Sequence, residues 1–584
     1  MRVLFLHPED LPWQGEWAGD RWDLIVDLGF ASSYTYEEWS RRLETRVIGI
    51  YQFAELQQGY RWVDQIFERG RGRLLDRMGI DWWEMLAMEK YHDLHLLYLL
   101  NQLRPEISDD KIELTSSRPH LFAKLLEQTL SRPVRFIQQT PHGMTSRAAR
   151  MLRSARKLRT TQIVEIAFDK WDPHYRLRHH VAKHGRAKLV NPAVLLPSAY
   201  SNVTRSVLAY AGHLPHRRFL LATTRRSALP DRLPDNVAVA PLAAYVLPFA
   251  IVRDETAELR RAWEVFQNTM QAEVEEFRHA ANAGVWDYFP AHLEHGLHLR
   301  EAWRHMLDRE PLTGVLCGDD LNYHTRLPLI LAQRSQLNAV YCSHGALDGG
   351  FLFKMPLADS FLVKGEMESD YLRSARAIEA EHIVVGAPGG RIFADSRDHN
   401  DKALVFFSQP YEVEAGRADE IYRELLPRLY SVALRTGHSL IIKLHPFESK
   451  HARKVLVASI LPADAAKKVE IIAGVPPEQV IARTWCGVAV DSSIAVECAL
   501  RKLPFFLCGW LDFGGMGYLQ QFARFGAGRV LNNPEGLEHI PEMVADYCAD
   551  PAALERLWHE ADPVQLDEVL FRPHAVRLPD PCAY

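Results

Sequence analysis

The chain has 584 residues, 47% hydrophobic and 24% charged, with a formal net charge of −5. That length exceeds a single hydrophobic core and suits two large domains of ordinary globular composition. So small a net charge excludes a global pull toward nucleic acid or anionic lipid, and nucleic acid is not expected as a partner.

In chain order, Val3–Leu6, Leu24–Leu28 and Val47–Ile50 read as short buried strands, and the start of the chain lacks a signal-peptide layout. Residues 53–103 follow a helical pattern rich in Trp, Tyr and Leu. Ile112–Leu114 and Val134–Ile137 read as strands bracketing a helix from about His120 to Leu130. Residues 139–190 are weakly periodic and receive no element. Their basic runs, Arg147–Arg159 and Arg176–Lys188, suit a solvated helix face, or else a site for an anionic acceptor or membrane surface. Phe219–Thr223 and Val237–Val239 are strands, followed by one long amphipathic helix over about Glu255–Ala281.

Strand signals then return at Gly314–Cys317, Ala339–Cys342, Ser360–Val363 and His382–Val385, and polar residues 389–401 read as a linker. Beyond it come strands Leu404–Phe407, Ser439–Leu444, Val469–Ile472, Gly487–Val490, Phe505–Leu507 and Arg529–Leu531, with helices between them, the first over Arg417–Arg435. Strands alternating with helices of this length imply parallel sheets covered on both faces. The expected architecture is α/β: an N-terminal domain over 1–390 with helical insertions, and a C-terminal Rossmann-like domain over 391–584, their parallel sheets facing a cleft. Seven cysteines show no C-x-x-C pair and sit mostly in apolar runs such as Val315-Leu316-Cys317, the usage of a reduced cytosolic protein. No apolar run is long enough to span a bilayer, so a cytoplasmic protein is expected, with peripheral contact to the inner membrane left open.

Ligands of open parallel sheets bind beyond the carboxyl ends of the strands, so the residues that follow each strand carry the functional signal. Lys443-Leu444-His445-Pro446 ends one strand; His445 can donate to a phosphate oxygen and Lys443 supplies a positive charge. Asp491-Ser492-Ser493 ends another, immediately before a helix over Ile494–Leu500. There the two hydroxyls and free N–H groups suit an anion, or a plain N-cap. Glu497, four residues into that helix, can take ribose hydroxyls or support the cap. Ser408 and Gln409 end a third strand and are read as touching phosphate through their backbone N–H groups. In the first half, Asp319 and Asp320 follow Cys317-Gly318. Adjacent carboxylates repel, which raises one pKa and suits a base, whereas helix capping is the structural alternative. His344, in Ser343-His344-Gly345, ends the next strand, and Gly349-Gly350 suggests a mobile loop nearby. Trp13, Trp17 and Trp22 either line an acceptor groove or belong to the core. His292, His295, His298 and His305 lack an H-E-x-x-H pattern and there is no Asp-x-Asp, so no metal is expected.

Lys443-x-His445-Pro446 followed by Ser492-Ser493-x-x-x-Glu497 resembles the C-terminal domain of bacterial GT-B glycosyltransferases. The similarity is greatest to those that use CMP-activated acidic sugars, namely sialyltransferases and 3-deoxy-manno-octulosonic acid (Kdo) transferases of capsule and lipopolysaccharide synthesis. The resemblance runs from about Gly314 to Leu507, and the first 300 residues match no family. It implies that the His-Pro and Ser-Ser elements hold the nucleotide phosphate and cytidine. It also implies a CMP-sugar co-substrate, Kdo preferred over sialic acid, and a surface polysaccharide or lipopolysaccharide acceptor. Asp319-Asp320 is similar to the Asp-Asp-Gly element of the sialyltransferases, with Leu321 where Gly would stand, and by that likeness Asp320 is the favoured base or nucleophile, assisted by Asp319 and His344. Ser343-His344-Gly345 resembles the His-Gly element of teichoic-acid glycerophosphotransferases, where His is the base, and similar sites in Kdo transferases. Gly386-Ala387-Pro388 looks like a Gly-x-Pro hinge. A glycerophosphotransferase using a CDP-glycerol-type donor is therefore the second reading, and a non-catalytic carbohydrate- or nucleotide-binding protein the third.

Overall fold

The computed structural model describes residues 1–53, 56–137, 189, 191–224, 228–230, 232–345, 347, 357–376, 378–388, 402–411, 416–474, 477–512 and 517–571. The basic runs, the Gly349-Gly350 loop and the 389–401 linker lie outside these residues. Among the described residues the strands form three sheets, and every pairing is parallel. The expectation of parallel α/β structure holds; the strands divide into three sheets where the sequence reading groups them into two domains.

The first sheet contains β1 (Arg2–Leu6), β2 (Leu24–Asp27), β3 (Arg46–Gly49), β4 (Glu113–Ser116) and β5 (Arg135–Phe136), in the order β3-β2-β1-β4-β5. The second contains β6 (Ala193–Ser198), β7 (Arg218–Thr223), β8 (Val237–Pro241), β9 (Leu312–Cys317), β10 (Asn338–Cys342), β11 (Ser360–Val363) and β12 (Ile383–Val385), in the order β12-β11-β10-β9-β6-β7-β8. The third contains β13 (Ala403–Phe407), β14 (Ser439–Lys443), β15 (Glu470–Ile472), β16 (Thr484–Ala489), β17 (Phe505–Cys508) and β18 (Arg529–Leu531), in the order β15-β14-β13-β16-β17-β18. Each sheet starts at an inner strand, builds outward by two strands, then reverses. Each therefore has one switch point, at β1/β4, β6/β9 and β13/β16, where ligands of such sheets bind.

The chain divides into two compact units. One holds the described residues of Met1–Tyr60, His95–Thr160 and Phe393–Leu557, and so includes the first and third sheets. The other holds those of Arg61–Leu94, Thr161–Ile392 and Trp558–Tyr584, built around the second sheet. A single boundary at 390 does not describe this arrangement. In the first unit, Arg417 explains the union of two sheets so distant in sequence. Its guanidinium donates to the carboxylate of Asp27 and to the carbonyls of Pro8 and Asp10 at 3.1 and 2.9 Å. Both partners of the ion pair are almost fully buried, at 4% and 0% side-chain exposure. Arg417 N donates to Phe30 O at 2.7 Å, and Glu424 accepts from Ser32, Thr35 and Trp510. In the second unit, Leu566 and Leu570 of the helix Pro563–Phe571 fill the core of the second sheet, and Arg217 pairs with Asp567 at 2.5 Å. The last described helix thus packs far from its sequence neighbours. The turn that receives this segment needs Gly386: its φ is +149°, and a Cβ there would lie 2.8 Å from Ala561 Cα.

Local patterns account for most elements. Residues of β13 are buried throughout, as befits a strand covered on both faces. The helix Ala418–Thr436 buries Ile421, Tyr422, Leu425, Leu426, Leu429 and Val432 on one stripe and ends at Gly437 in the left-handed region. The long helix expected over Glu255–Ala281 is two helices, Arg253–Glu273 and Glu275–Asn282, broken at extended Val274. The break sets Phe277 against Trp83 and Trp286, at ring separations of 5.7 and 5.2 Å. Strand β6 escapes the sequence reading because Pro197 interrupts it and its six residues are all buried, with no alternation. Pro197 is tolerated because pairing with β9 ends at Leu195. Of the tryptophan cluster, Trp17 and Trp22 are core residues of the first sheet, and Trp13 packs against that core. Their indole N–H groups support this: Trp17 donates to Leu11 O at 2.9 Å and Trp22 to Trp17 O at 3.1 Å. Among the described residues no helix is long and apolar enough to cross a membrane.

Breaking one partner of a buried pair costs about 3–5 kcal/mol, because the other charge stays buried. Asp27→Asn is therefore expected to lower stability in urea unfolding by roughly that amount. An Arg46→Ala change, breaking the exposed pair with Glu106, should cost less than about 1 kcal/mol.

Candidate functional site

At the β13/β16 switch point the two outgoing loops meet through Gln409 and Asp491. The Gln409 amide donates to the Asp491 carboxylate, and Asp491 N donates back to Gln409 Oε1 at 3.4 Å. Burial pushes the Asp491 carboxyl up from its usual range, and the Gln409 bond pulls the other way. Ser492 accepts from Ile494 N at 3.4 Å, whereas Ser493, the N-cap, makes no side-chain capping bond and is exposed. The helix they precede, Ile494–Leu500, is only seven residues long. Glu497 pairs with Arg501 at 3.8 Å.

One strand over, at the end of β14, His445 Nδ1 accepts the Phe447 N–H at 3.3 Å. The neutral ring must then carry its proton on Nε2, as a donor. Burial, reinforced by Lys443, lowers the His445 pKa to about 4, so the ring is neutral near pH 7. Pro446 is exposed beside it. The Lys443 ammonium is buried and donates to Leu444 O at 2.9 Å, an anchor within the strand end.

Ser408 differs from expectation. Its backbone N–H donates to Lys443 O at 2.9 Å, as part of the sheet, and is not available to a phosphate. Its hydroxyl accepts from Tyr422 OH and donates to Glu448 Oε1, both at 2.7 Å. Glu448, which the sequence reading misses, organises this edge. It also takes the His445 N–H at 2.7 Å and Arg453 Nε at 2.8 Å, with 1% of its side chain exposed. Burial raises its pKa against the opposing pull of Arg453. A Glu three residues after a strand-end His and five before an Arg, in the loop just ahead of the next helix's N-cap Ser449, is the signal that could have marked it.

In the other unit, Gly318, Asp319 and Asp320 leave β9 at the β6/β9 switch point. The two carboxylates have different partners. Asp319 accepts from Leu321 N at 2.9 Å and from Asn322 Nδ2 at 2.8 Å, bracing the residue that caps the helix Tyr323–Arg334. Asp320 pairs at 3.1 Å with Arg326, whose guanidinium also bonds Glu84, and Arg326 is fully buried. Asp319 therefore supports the N-cap residue Asn322 without being the cap itself, and Asp320 is charge-paired under the surface at 2% exposure. Arg326 and Glu84 were not legible as partners, being 242 residues apart. His344, at the end of β10, is placed differently. Its Nδ1 lies 3.0 Å from Gly318 O, and a carbonyl can only accept, so Nδ1 carries the proton. The lone pair of the neutral ring is then on Nε2.

No protein-family model matches the sequence, and no curated protein matches it. Solved structures with a similar trace include MnaA of S. aureus with UDP, at 10% identity and a TM-score of 0.40, covering 65% of this chain and 95% of that one. Another is the UDP-GlcNAc 2-epimerase of Methanocaldococcus jannaschii, at 12% identity and a TM-score of 0.40, covering 65% and 98%. MurG of Acinetobacter baumannii matches at 11% identity and a TM-score of 0.37, covering 65% and 98%. Likenesses this remote carry no nucleotide and no reaction over to this chain.

Two measurements check the site as described. Asp320→Asn should lower the thermal unfolding midpoint, because it leaves Arg326 buried with one fewer counter-charge, whereas His344→Ala should leave the midpoint nearly unchanged. The second is pH dependence. His445 has a pKa of about 4 when folded against an ordinary 6.5, so in that interval the unfolded chain binds the extra proton. Its contribution to stability is complete above about 6.5 and declines as pH falls toward about 4. A His445→Gln variant should show a shallower loss of stability across that window.

Proposed function

We propose that the protein is a nucleotide-sugar-dependent glycosyltransferase, with the donor phosphate held at the β13/β16 switch point and an acceptor hydroxyl deprotonated by His344. One observation carries the donor half. At the edge where ligands of this strand order bind, His445 is a neutral donor with its Nε2–H uncommitted, on a loop fixed through Glu448 to Ser408. Such a donor favours charge that grows on the leaving phosphate, and its low pKa makes the contact insensitive to pH near neutrality.

The acceptor half rests on the tautomer of His344. With Nδ1–H spent on Gly318 O, Nε2 takes the proton of the acceptor hydroxyl. The oxygen forms its bond to the anomeric carbon, the bond from that carbon to the phosphate oxygen breaks, and the electron pair leaves on the nucleotide. Asp319 and Asp320 support the loop in this reading, with Asp320 paired to Arg326.

The donor we favour is a CMP-activated acidic sugar, Kdo ahead of sialic acid, with a surface glycan as acceptor. Its support is the Lys443-x-His445-Pro446 and Ser492-Ser493 pattern. The commitment of Asp320 to Arg326 beside an uncommitted His344 Nε2 equally favours a His-base reaction on a CDP-glycerol-type donor as the second reading. Thermal shift with CMP, CDP, UDP and GDP separates them. Saturation at 100 times Kd stabilises by about 2.7 kcal/mol. CMP is expected to raise the midpoint and His445→Ala to abolish the rise. A response to CDP alone supports the second reading, a response to UDP or GDP alone rejects both donors, and no response to any of the four rejects the nucleotide site.

A further inference from the structure

We infer that Lys364, backed by Glu368, is the positioning residue that presents His344 as a base, an inference that rests on the role given to His344 above. Lys364 immediately follows β11, the strand beside β10 on the side opposite β9. Its ammonium donates to Ser343 O at 3.4 Å, to Gly345 O, and to Glu368 Oε1 at 3.0 Å. An ammonium has three protons, and here each has an acceptor. Two of those acceptors are the carbonyls that flank His344. The third is a carboxylate with 6% of its side chain exposed, which also takes Lys364 N–H at 2.7 Å.

His344 is thereby held from both neighbouring strands. Gly318, leaving β9, fixes the ring at Nδ1, and Lys364, leaving β11, holds the carbonyls of the residues before and after it, Ser343 and Gly345. Ring rotation would break the Gly318 contact, and backbone rotation would break a charge-assisted bond to a carbonyl, roughly twice the strength of a neutral one. Lys364 has no proton left for a substrate, so its action on chemistry must pass through His344. Glu368 keeps the lysine in place: burial pushes its carboxyl up, and the Lys364 charge beside it opposes that shift. The spacing, Lys364 and Glu368 four apart across the start of the helix Glu366–Arg376, lets one side chain satisfy both the amide and the ammonium.

The test uses full-length protein labelled with nitrogen-15 at histidine, with the His344 ring signals assigned by His344→Gln. In the unsubstituted protein, His344 should be a single Nδ1-protonated form. Lys364→Met should convert it to a mixture of tautomers. It should also lower kcat for release of CMP from CMP-Kdo, with water as acceptor, by about 10- to 100-fold at unchanged KM, the cost of a misplaced catalytic group. Glu368→Gln should move both readouts in the same direction, and it carries the test should Lys364→Met fail to fold by circular dichroism. A pure Nδ1–H form and unchanged kcat in these variants, with His344→Ala inactive, would overturn the positioning role. Should His344→Ala keep full turnover, or CMP-Kdo not turn over at all, the proposed reaction falls instead, and the tautomer readout alone decides whether Lys364 holds the ring.

Discussion

In a parallel sheet with right-handed connections, a chain that starts at an inner strand and then reverses direction must send two neighbouring strands' loops to opposite faces. The gap that opens between them is a consequence of backbone pairing, present before any side chain is chosen. All three sheets obey this constraint. In the third sheet it separates the loops after β13 and β16, and Gln409 and Asp491 close the floor of the gap. In the second it separates the loops after β6 and β9, and the latter delivers Asp319, Asp320 and the Gly318 carbonyl that His344 uses.

Loops leaving strand ends have lost the sheet's hydrogen bonds, and this chain holds them with buried charge. Glu448 with Arg453, Asp320 with Arg326 and Glu84, and Lys364 with Glu368 each fix one such loop. Asp27 with Arg417 ties two whole sheets together. Such pairs contribute little net stability, since desolvation offsets most of the attraction, but losing one partner is costly. They therefore specify geometry more than they stabilise. They also sort the ionisable groups: a carboxylate committed to a buried arginine holds structure, and a ring nitrogen left uncommitted is the one that can move a proton.

The placement of the candidate residues was legible to different degrees. Lys443, His445, Ser492 and Ser493 stand at strand ends as their sequence context implied, because a run of buried apolar residues followed by a polar break marks a strand end directly. His344 was legible for the same reason. Ser408 was read correctly as a strand-end residue, yet its N–H belongs to the ladder with β14, a register that one strand's sequence does not reveal. Asp319 and Asp320 were equally visible as strand-end carboxylates. Their partners were not: Asn322 is local but ambiguous, and Arg326 becomes informative only once Glu84 is seen on its other side.

The sequence by itself determined the parallel α/β class, most strands, and the set of polar residues at their carboxyl ends, because burial on two faces and helix–strand alternation are local properties of a chain. Tertiary structure alone decided that the strands form three sheets, that the first joins the third through Arg417 and Asp27, and that the helix Pro563–Phe571 belongs with the second. It alone assigned each ionisable group a partner, and so a tautomer or a charge. The joining of sheets and of the last helix depends on contacts between residues hundreds of positions apart, where neither periodicity nor spacing carries a signal, and the nearer ion pairs depend on how the loops turn as they leave the strands.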